Sequence, residues 1–113
     1  MGELGSKAAI VGVGSTRFVK QPGRSGMSFL AEAFTRALDE SGLRKEDVDG
    51  LIVHSGSPGG QDVDRVAEVL GIEPRYCSQP WSHGMWTGTL ITEAAMAIYC
   101  GLATCVLVGR GVS

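Results

Sequence analysis

Two periodicities alternate along the chain, and the switches between them outline a series of short strands and helices. Ala8 to Val13 is an apolar, partly β-branched run with Gly12 and Gly14 at its end, which predicts a first buried strand. From Ser25 or Ser28 to about Ser41 the spacing is helical, with Leu30, Phe34, Ala37 and Leu38 on one face and Glu32, Arg36, Asp39 and Glu40 on the other. Gly42 stops that helix, a charged connection follows, and Leu51 to His54 reads as a second short strand. Together these predict a βαβ unit, with the helix lying on one face of a parallel sheet.

After the turn-rich stretch SGSPGGQ, apolar residues recur at Val63, Val66, Ala67 and Leu70, the spacing of one helical face, and Gly71 ends it. Tyr76 and Cys77 fall in a stretch that Pro74 and Pro80 restrict to a short strand at most. Thr87 to Tyr99 is apolar or small on nearly every side, so a buried helix is expected, capped at Thr87 and ended by Gly101. The run Thr104 to Val108 is too short for a helix and too evenly apolar for a strand wetted on one face, so it reads as a central strand. The pattern as a whole is α/β, a mostly parallel sheet with helices on both faces.

Composition narrows the function classes. At 113 residues and 43% hydrophobic, the chain has the size and apolar content of one globular unit. A formal charge of -2, without a basic run, argues against nucleic acid as a partner. The longest apolar stretch is interrupted by Thr92, Glu93, Gly101 and Thr104, so no membrane span is expected, and a cytoplasmic location is the default. Three cysteines without CxxC spacing, Cys77, Cys100 and Cys105, indicate neither a disulfide framework nor a zinc site. Many of the 17 glycines fall at segment ends, as a fold with many tight turns requires.

Candidate chemistry concentrates just before the last helix. Trp81, Ser82, His83, Met85, Trp86 and Thr87 combine aromatics, an imidazole and hydroxyls at a helix N-terminus, where free amides and partial positive charge could hold an oxyanion. His83 is the acid/base candidate there, with a packed or interface histidine as the structural alternative; His54, at the end of the second strand, is equally open between core, interface and ligand. Cys100 at a helix C-terminus and Cys105 in an apolar strand are both disfavoured as thiolates, and Cys77 reads as a small buried hydrophobe. GVG near the N-terminus is not a dinucleotide fingerprint, because Arg17 stands where the third glycine belongs and no helix begins there. Asp47 with Asp49, and Asp62 with Asp64, read as capping and solvated charges.

Taken in order, AAIVGVGSTRF, GRSGMSFLAEAFTRALDESGL, EDVDGLIV and AAMAIYCGLATCVLVGRG resemble the N-terminal part of the thiolase superfamily. The nearest likeness is to its lipid-transfer branch, the sterol-carrier-type thiolases and the thiolase-like aldolases that shorten steroid side chains. The resemblance covers almost the whole chain but less than a third of a typical member, so residues 1–113 read as an incomplete N-terminal domain of an αβαβα layered fold. Members of the superfamily place a nucleophilic cysteine in a CxxG motif at the start of the buried helix, and the aldolase-like branch lacks it. Matching Gly88 and Gly101 to the family's glycines puts Met85 at that position, and a thioether cannot carry an acyl group as a thioester.

The resemblance therefore implies an acyl-CoA enzyme subunit or fragment that cleaves or forms C–C bonds by retro-aldol chemistry rather than acyltransferase (thiolytic) chemistry. Coenzyme A would enter as part of the substrate, with no covalently bound cofactor. The residues from Trp81 to Thr87 named above would line the pocket, and acid/base groups would come from segments absent here, so the chain alone is not expected to be active. The rival is a non-catalytic thiolase-fold scaffold or lipid-binding subunit that docks an active partner. By the same resemblance, a homodimer or hetero-complex is implied, with a small zinc-ribbon and OB-fold protein as one partner.

Overall fold

The computed structural model describes residues 8–15, 26–53, 62–80 and 87–109. Helix α1 (Gly26–Ser41) leads through a 3-10 turn (Lys45–Asp47) to strand β1 (Gly50–Val53). Helix α2 (Val63–Leu70), strand β2 (Tyr76–Ser78), helix α3 (Thr87–Tyr99) and strand β3 (Val106–Gly109) follow. The three strands form one parallel sheet in the order β2-β1-β3, with Leu51 opposite Cys77 on one side and Leu107 on the other. The helix and strand limits agree with the apolar periodicity to within a residue or two. Gly42, Gly71 and Gly101, with φ of 76, 74 and 78°, end the three helices in the left-handed conformation expected of them.

Alternation along β1 divides the core into two layers. Leu51 and Val53 face α1 and α2, where they pack with Leu30, Phe34, Val66, Ala67, Leu70 and Ile72. Ile52 faces the other way, onto Leu90 and Ala94 of α3, with Tyr76, Val106 and Val108 around it. All four residues of β1 are buried, as a parallel strand covered on both faces must be. The arrangement is three-layered, with helices on both sides of a parallel sheet, and the α/β expectation holds.

Four expectations need correction. The central strand is β1, whereas β3 is only half-buried because among the described residues it has a partner on one side alone. Ala8 to Val13 forms no strand: Ile10, Val11 and Val13 are exposed, at 70, 59 and 63%. That segment is held instead by α1, with the Val13 amide donating to Glu40 Oε1 at 3.3 Å. Its glycines pack against the helix backbone, where a Cβ at Gly12 would stand 2.6 Å from the Ala37 carbonyl oxygen and one at Gly14 would collide with that of Ala33. The predicted βαβ crossover from this segment is thus absent, and the observed one runs β1-α2-β2.

The third correction concerns α3. Its inner face is buried at Leu90, Ala94 and Ala97, but Ile91, Met96 and Tyr99 are exposed, as is Leu102 just beyond it, so the helix is covered on one side only. The fourth is Cys77, which is exposed rather than buried: it shares a sheet face with its register partner Leu51 but lies on the edge strand β2. Among the described residues, no helix is long and apolar enough to cross a membrane.

Candidate functional site

Parallel strands share a direction, so the chain leaves β1 after Val53, β2 after Ser78 and β3 after Gly109 at one edge of the sheet. Helix α3, which connects β2 to β3, runs back across the sheet and so begins at this same edge. In open α/β sheets the carboxyl edge is where ligands bind, because helix N-termini and loop side chains converge there. In sequence, His54 directly follows β1, and the stretch from Trp81 to Trp86 falls between β2 and α3. Trp81, Ser82, His83, Met85, Trp86 and His54 themselves lie outside the described residues, and Thr87 is described as the first residue of α3.

Side-chain bonds hold the two described stems of that stretch. Tyr76, on β2, donates its phenolic hydrogen to Glu93 Oε2 of α3 at 2.6 Å. The bond to the Glu93 carboxylate raises the Tyr76 pKa above its ordinary value, with burial and the carboxylate charge acting in the same direction and the Ser78 hydroxyl opposing them. The phenol therefore stays protonated and remains a donor at neutral pH. One residue past β2, Gln79 Oε1 accepts from the Val63 amide at 2.9 Å, satisfying one of the free donors in the first turn of α2.

Sequence reading missed the Tyr76 and Glu93 pair, although a signal was present. Glu93 is the one charged residue between Thr87 and Tyr99, and a carboxylate in so apolar a helix requires a hydrogen-bond donor.

At the opposite edge of the sheet, Asp49 departs from its expected role as a solvated charge. Its Oδ1 accepts from the Thr104 and Cys105 amides, both at 2.9 Å, and its Oδ2 from the Thr104 hydroxyl at 3.0 Å. Burial acts to raise its pKa, but the Cys105 and Thr104 amides, the Thr104 hydroxyl and the nearby Arg75 charge outweigh it and hold the carboxyl below its ordinary value. Asp47 does cap, accepting from the Arg44 amide at 2.9 Å, whereas Asp62 precedes α2 without a side-chain bond to it.

Neither Cys77 nor Cys105 is set up as a nucleophile. Burial, and then the charge of Asp64, raises the Cys77 thiol; burial, and then Asp49 and Asp47, raises that of Cys105. Cys100 is exposed at the end of α3, away from the carboxyl edge. Among the described residues, no group of three or more His, Cys, Asp or Glu side chains could hold a metal ion.

No family model matches the chain. It is 36% identical over 112 residues to the steroid side-chain-cleaving aldolase of Thermomonospora curvata, a match covering 97% of this chain and 28% of that protein. To the 17-hydroxy-3-oxo-4-pregnene-20-carboxyl-CoA lyase of Mycobacterium tuberculosis it is 37% identical over 108 residues, covering 95% of this chain and 28% of the lyase. A shorter match, 35% over 85 residues and 74% of this chain, is to the [LysW]-aminoadipate kinase of Thermus thermophilus.

Among solved structures, the Ltp2-ChsH2(DUF35) aldolase matches with a TM-score of 0.79 and 34% identity, over 88% of this chain and 26% of that one. A monomeric SCP2-thiolase-like protein from Mycobacterium smegmatis matches with a TM-score of 0.70 and 25% identity, over 88% of this chain and 22% of its own. The fold is thus that of thiolase-like proteins, and the chain spans less than a third of the length of these relatives.

Proposed function

We propose that this chain is the N-terminal part of a thiolase-like lyase subunit that splits a C–C bond of a β-hydroxy acyl-CoA by a retro-aldol reaction. The observation that carries this reading is the agreement of sequence and fold on one kind of protein. The two matches that span nearly the whole chain are an aldolase and an acyl-CoA lyase, and a solved aldolase shares the three-layered fold. The kinase match leaves a quarter of the chain unpaired, and the two solved structures described above are an aldolase and a thiolase-like protein. Gly12 and Gly14 lie against the carbonyls of Ala33 and Ala37, inside α1, rather than at a helix N-terminus able to cradle a phosphate.

The chemistry follows from the residue set. A thiolase needs a thiolate to take up the acyl group, and this chain has Met85 at the corresponding position. Retro-aldol cleavage needs no acyl-enzyme. A base removes the proton of the β-hydroxyl, the Cα–Cβ bond breaks as the new carbonyl forms, and the electron pair passes to the thioester enolate, which an acid then protonates. Coenzyme A is the handle of the substrate. In this reading Trp81, Ser82, His83, Met85, Trp86 and Thr87 are the residues that would meet the substrate, with His83 as the acid/base candidate among them and further acid/base groups in the segments that the relatives possess.

The exposed outer side of α3, with Ile91, Met96 and Tyr99, fits a subunit that works inside a larger assembly: the remainder of a full-length lyase, a second copy, or a zinc-ribbon and OB-fold partner.

The test is to assay the chain, in an assembly with a DUF35-type partner and the segments that its relatives possess, against β-hydroxy acyl-CoA and β-ketoacyl-CoA thioesters. Release of a ketone and a shortened acyl-CoA from the first, with no thiolysis of the second, is the expected result. Thiolysis of the β-ketoacyl-CoA, or inactivity on both by a folded assembly, would refute it.

A further inference from the structure

We propose that the outer face of α3 is a self-docking surface, on which a second copy of this chain lays its own α3 antiparallel about a two-fold axis. The proposal deepens the assembly reading above by committing to one occupant and rests on that reading for its functional meaning, but its physical basis is in α3 alone.

The three helices present different outer faces. Helix α1 exposes Arg36, Asp39 and Glu40, and α2 exposes Asp64, Arg65 and Glu68, as solvated faces do. On α3 the exposed positions include Ile91, Thr92, Met96 and Tyr99, and none of them is charged. Glu93 is the single charged residue between Thr87 and Tyr99, and it is half-buried at the side of the helix, where Tyr76 donates to it. The Thr92 hydroxyl donates to the Gly88 carbonyl at 2.9 Å, so covering this face would leave that donor satisfied. Uncharged and carrying large apolar side chains about half exposed, the surface has the character of a contact face.

Charge selects the occupant. A charged surface laid on this face would bury its charges without partners, whereas an equally uncharged helix face meets it at no such cost. Among the described helices, α3 itself is the one with such a face. Its sequence is also self-complementary. With the two-fold axis midway between Thr92 and Ala95, an antiparallel pair sets Gly88 opposite the second copy's Tyr99, Ile91 opposite its Met96, and Thr92 opposite its Ala95. Small residues at the axis let the helices approach to about 8 Å, and the largest side chain falls over the smallest. Two helices of 13 residues, each about 20 Å long, make an interface at the low end of stable sizes, so a reversible dimer with a Kd of about 10–100 μM is expected.

The test is sedimentation of the full 113-residue chain from about 2 to about 500 μM, for the parent, Thr92→Lys, Ala95→Glu and Asp39→Lys, each checked for folding by circular dichroism. The parent should pass from monomer to dimer. Thr92→Lys and Ala95→Glu should each weaken association by at least about ten-fold, because like charges are brought together near the axis. An equimolar mixture of these two sets the new ammonium opposite the new carboxylate and should restore association to within about three-fold of the parent. Asp39→Lys, on the charged face of α1, should associate as the parent does.

A parent that stays monomeric throughout would overturn the proposal, including one that associates only when a DUF35-type partner is added. Parent-like association of Thr92→Lys and Ala95→Glu, or a mixture that fails to recover, would overturn it as well. If one of the two does not fold, the other decides by its contrast with Asp39→Lys. Because no turnover is read, failure of the aldolase assignment would leave these outcomes untouched, and a monomeric chain would leave that assignment untouched.

Discussion

The carboxylate of Asp49 accepts both the backbone amide of Thr104, at 2.9 Å, and its hydroxyl, at 3.0 Å, across 55 residues of sequence. The same residue's backbone serves both neighbouring strands. Its amide donates to the Cys105 carbonyl at 3.0 Å, and its carbonyl accepts from the Arg75 amide at 2.7 Å. One aspartate just ahead of β1 therefore aligns the entries of β2 and β3. Replacing it with Ala strands the amides that it now satisfies, at a cost of about 1–3 kcal/mol. Urea unfolding followed by circular dichroism should show the midpoint fall by a corresponding amount, whereas Asp62→Ala, which removes no cap bond, should leave it within about 0.5 kcal/mol.

The Asp49 network also has a direction in pH. Its carboxyl is held below its ordinary 3.8 in the folded chain, so between the two values the unfolded state binds more protons. Its contribution is fully present above the unfolded pKa and is lost as pH falls through the folded one. The stability difference between the parent and Asp49→Asn should therefore be constant from about pH 7 to about pH 5 and shrink below about pH 4. Denaturant midpoints measured across that range check it; a gap that widens on acidification would contradict the network.

Glycines in this chain play opposite roles that substitution should separate. A Cβ at Gly14 runs into the Ala33 carbonyl oxygen, which belongs to the helix backbone and cannot rotate away. Gly14→Ala should thus cost about 1–3 kcal/mol or release the segment from α1. Gly88 is in the first turn of α3, an added methyl group there would meet nothing within 4 Å among the described residues, and Gly88→Ala should be neutral or stabilising by about 0.5 kcal/mol. Thermal unfolding of both variants gives the contrast directly.

Core and outer-face positions should differ just as clearly. Leu51 is fully buried at the centre of the sheet, and Leu51→Ala should cost about 2–5 kcal/mol through lost transfer energy and the cavity left behind. Met96 is 52% exposed on α3, and Met96→Ala should cost less than about 1 kcal/mol in the chain on its own. In the assembly proposed above, the same Met96 variant should weaken association, read as a lower molar mass by light scattering at a given concentration. Unchanged association would place the contact elsewhere.

Local pattern was enough to locate most of the elements. The 3.6-residue spacing of Leu30, Phe34 and Leu38, and of Val63, Val66 and Leu70, marked α1 and α2, because such faces stay out of water only when packed. Gly42, Gly71 and Gly101 marked the helix ends, since only glycine adopts a left-handed φ at little cost. That methionine stands at position 85 is likewise a property of the sequence, and the proposal of aldol rather than thiolytic chemistry draws on it.

Tertiary structure decided what periodicity does not encode. An apolar run such as Ala8 to Val13 becomes a strand only where an edge offers hydrogen-bond partners, and here Gly12 and Gly14 bring it against α1 instead. Val106 to Val108 is as apolar as Leu51 to Val53, yet β1 is central because the crossovers place β2 and β3 on either side of it. Asp49 with Thr104, and Tyr76 with Glu93, are pairs 55 and 17 residues apart in sequence. Their partnership depends on strand order and helix placement, which arise from packing of the whole core rather than from any local preference.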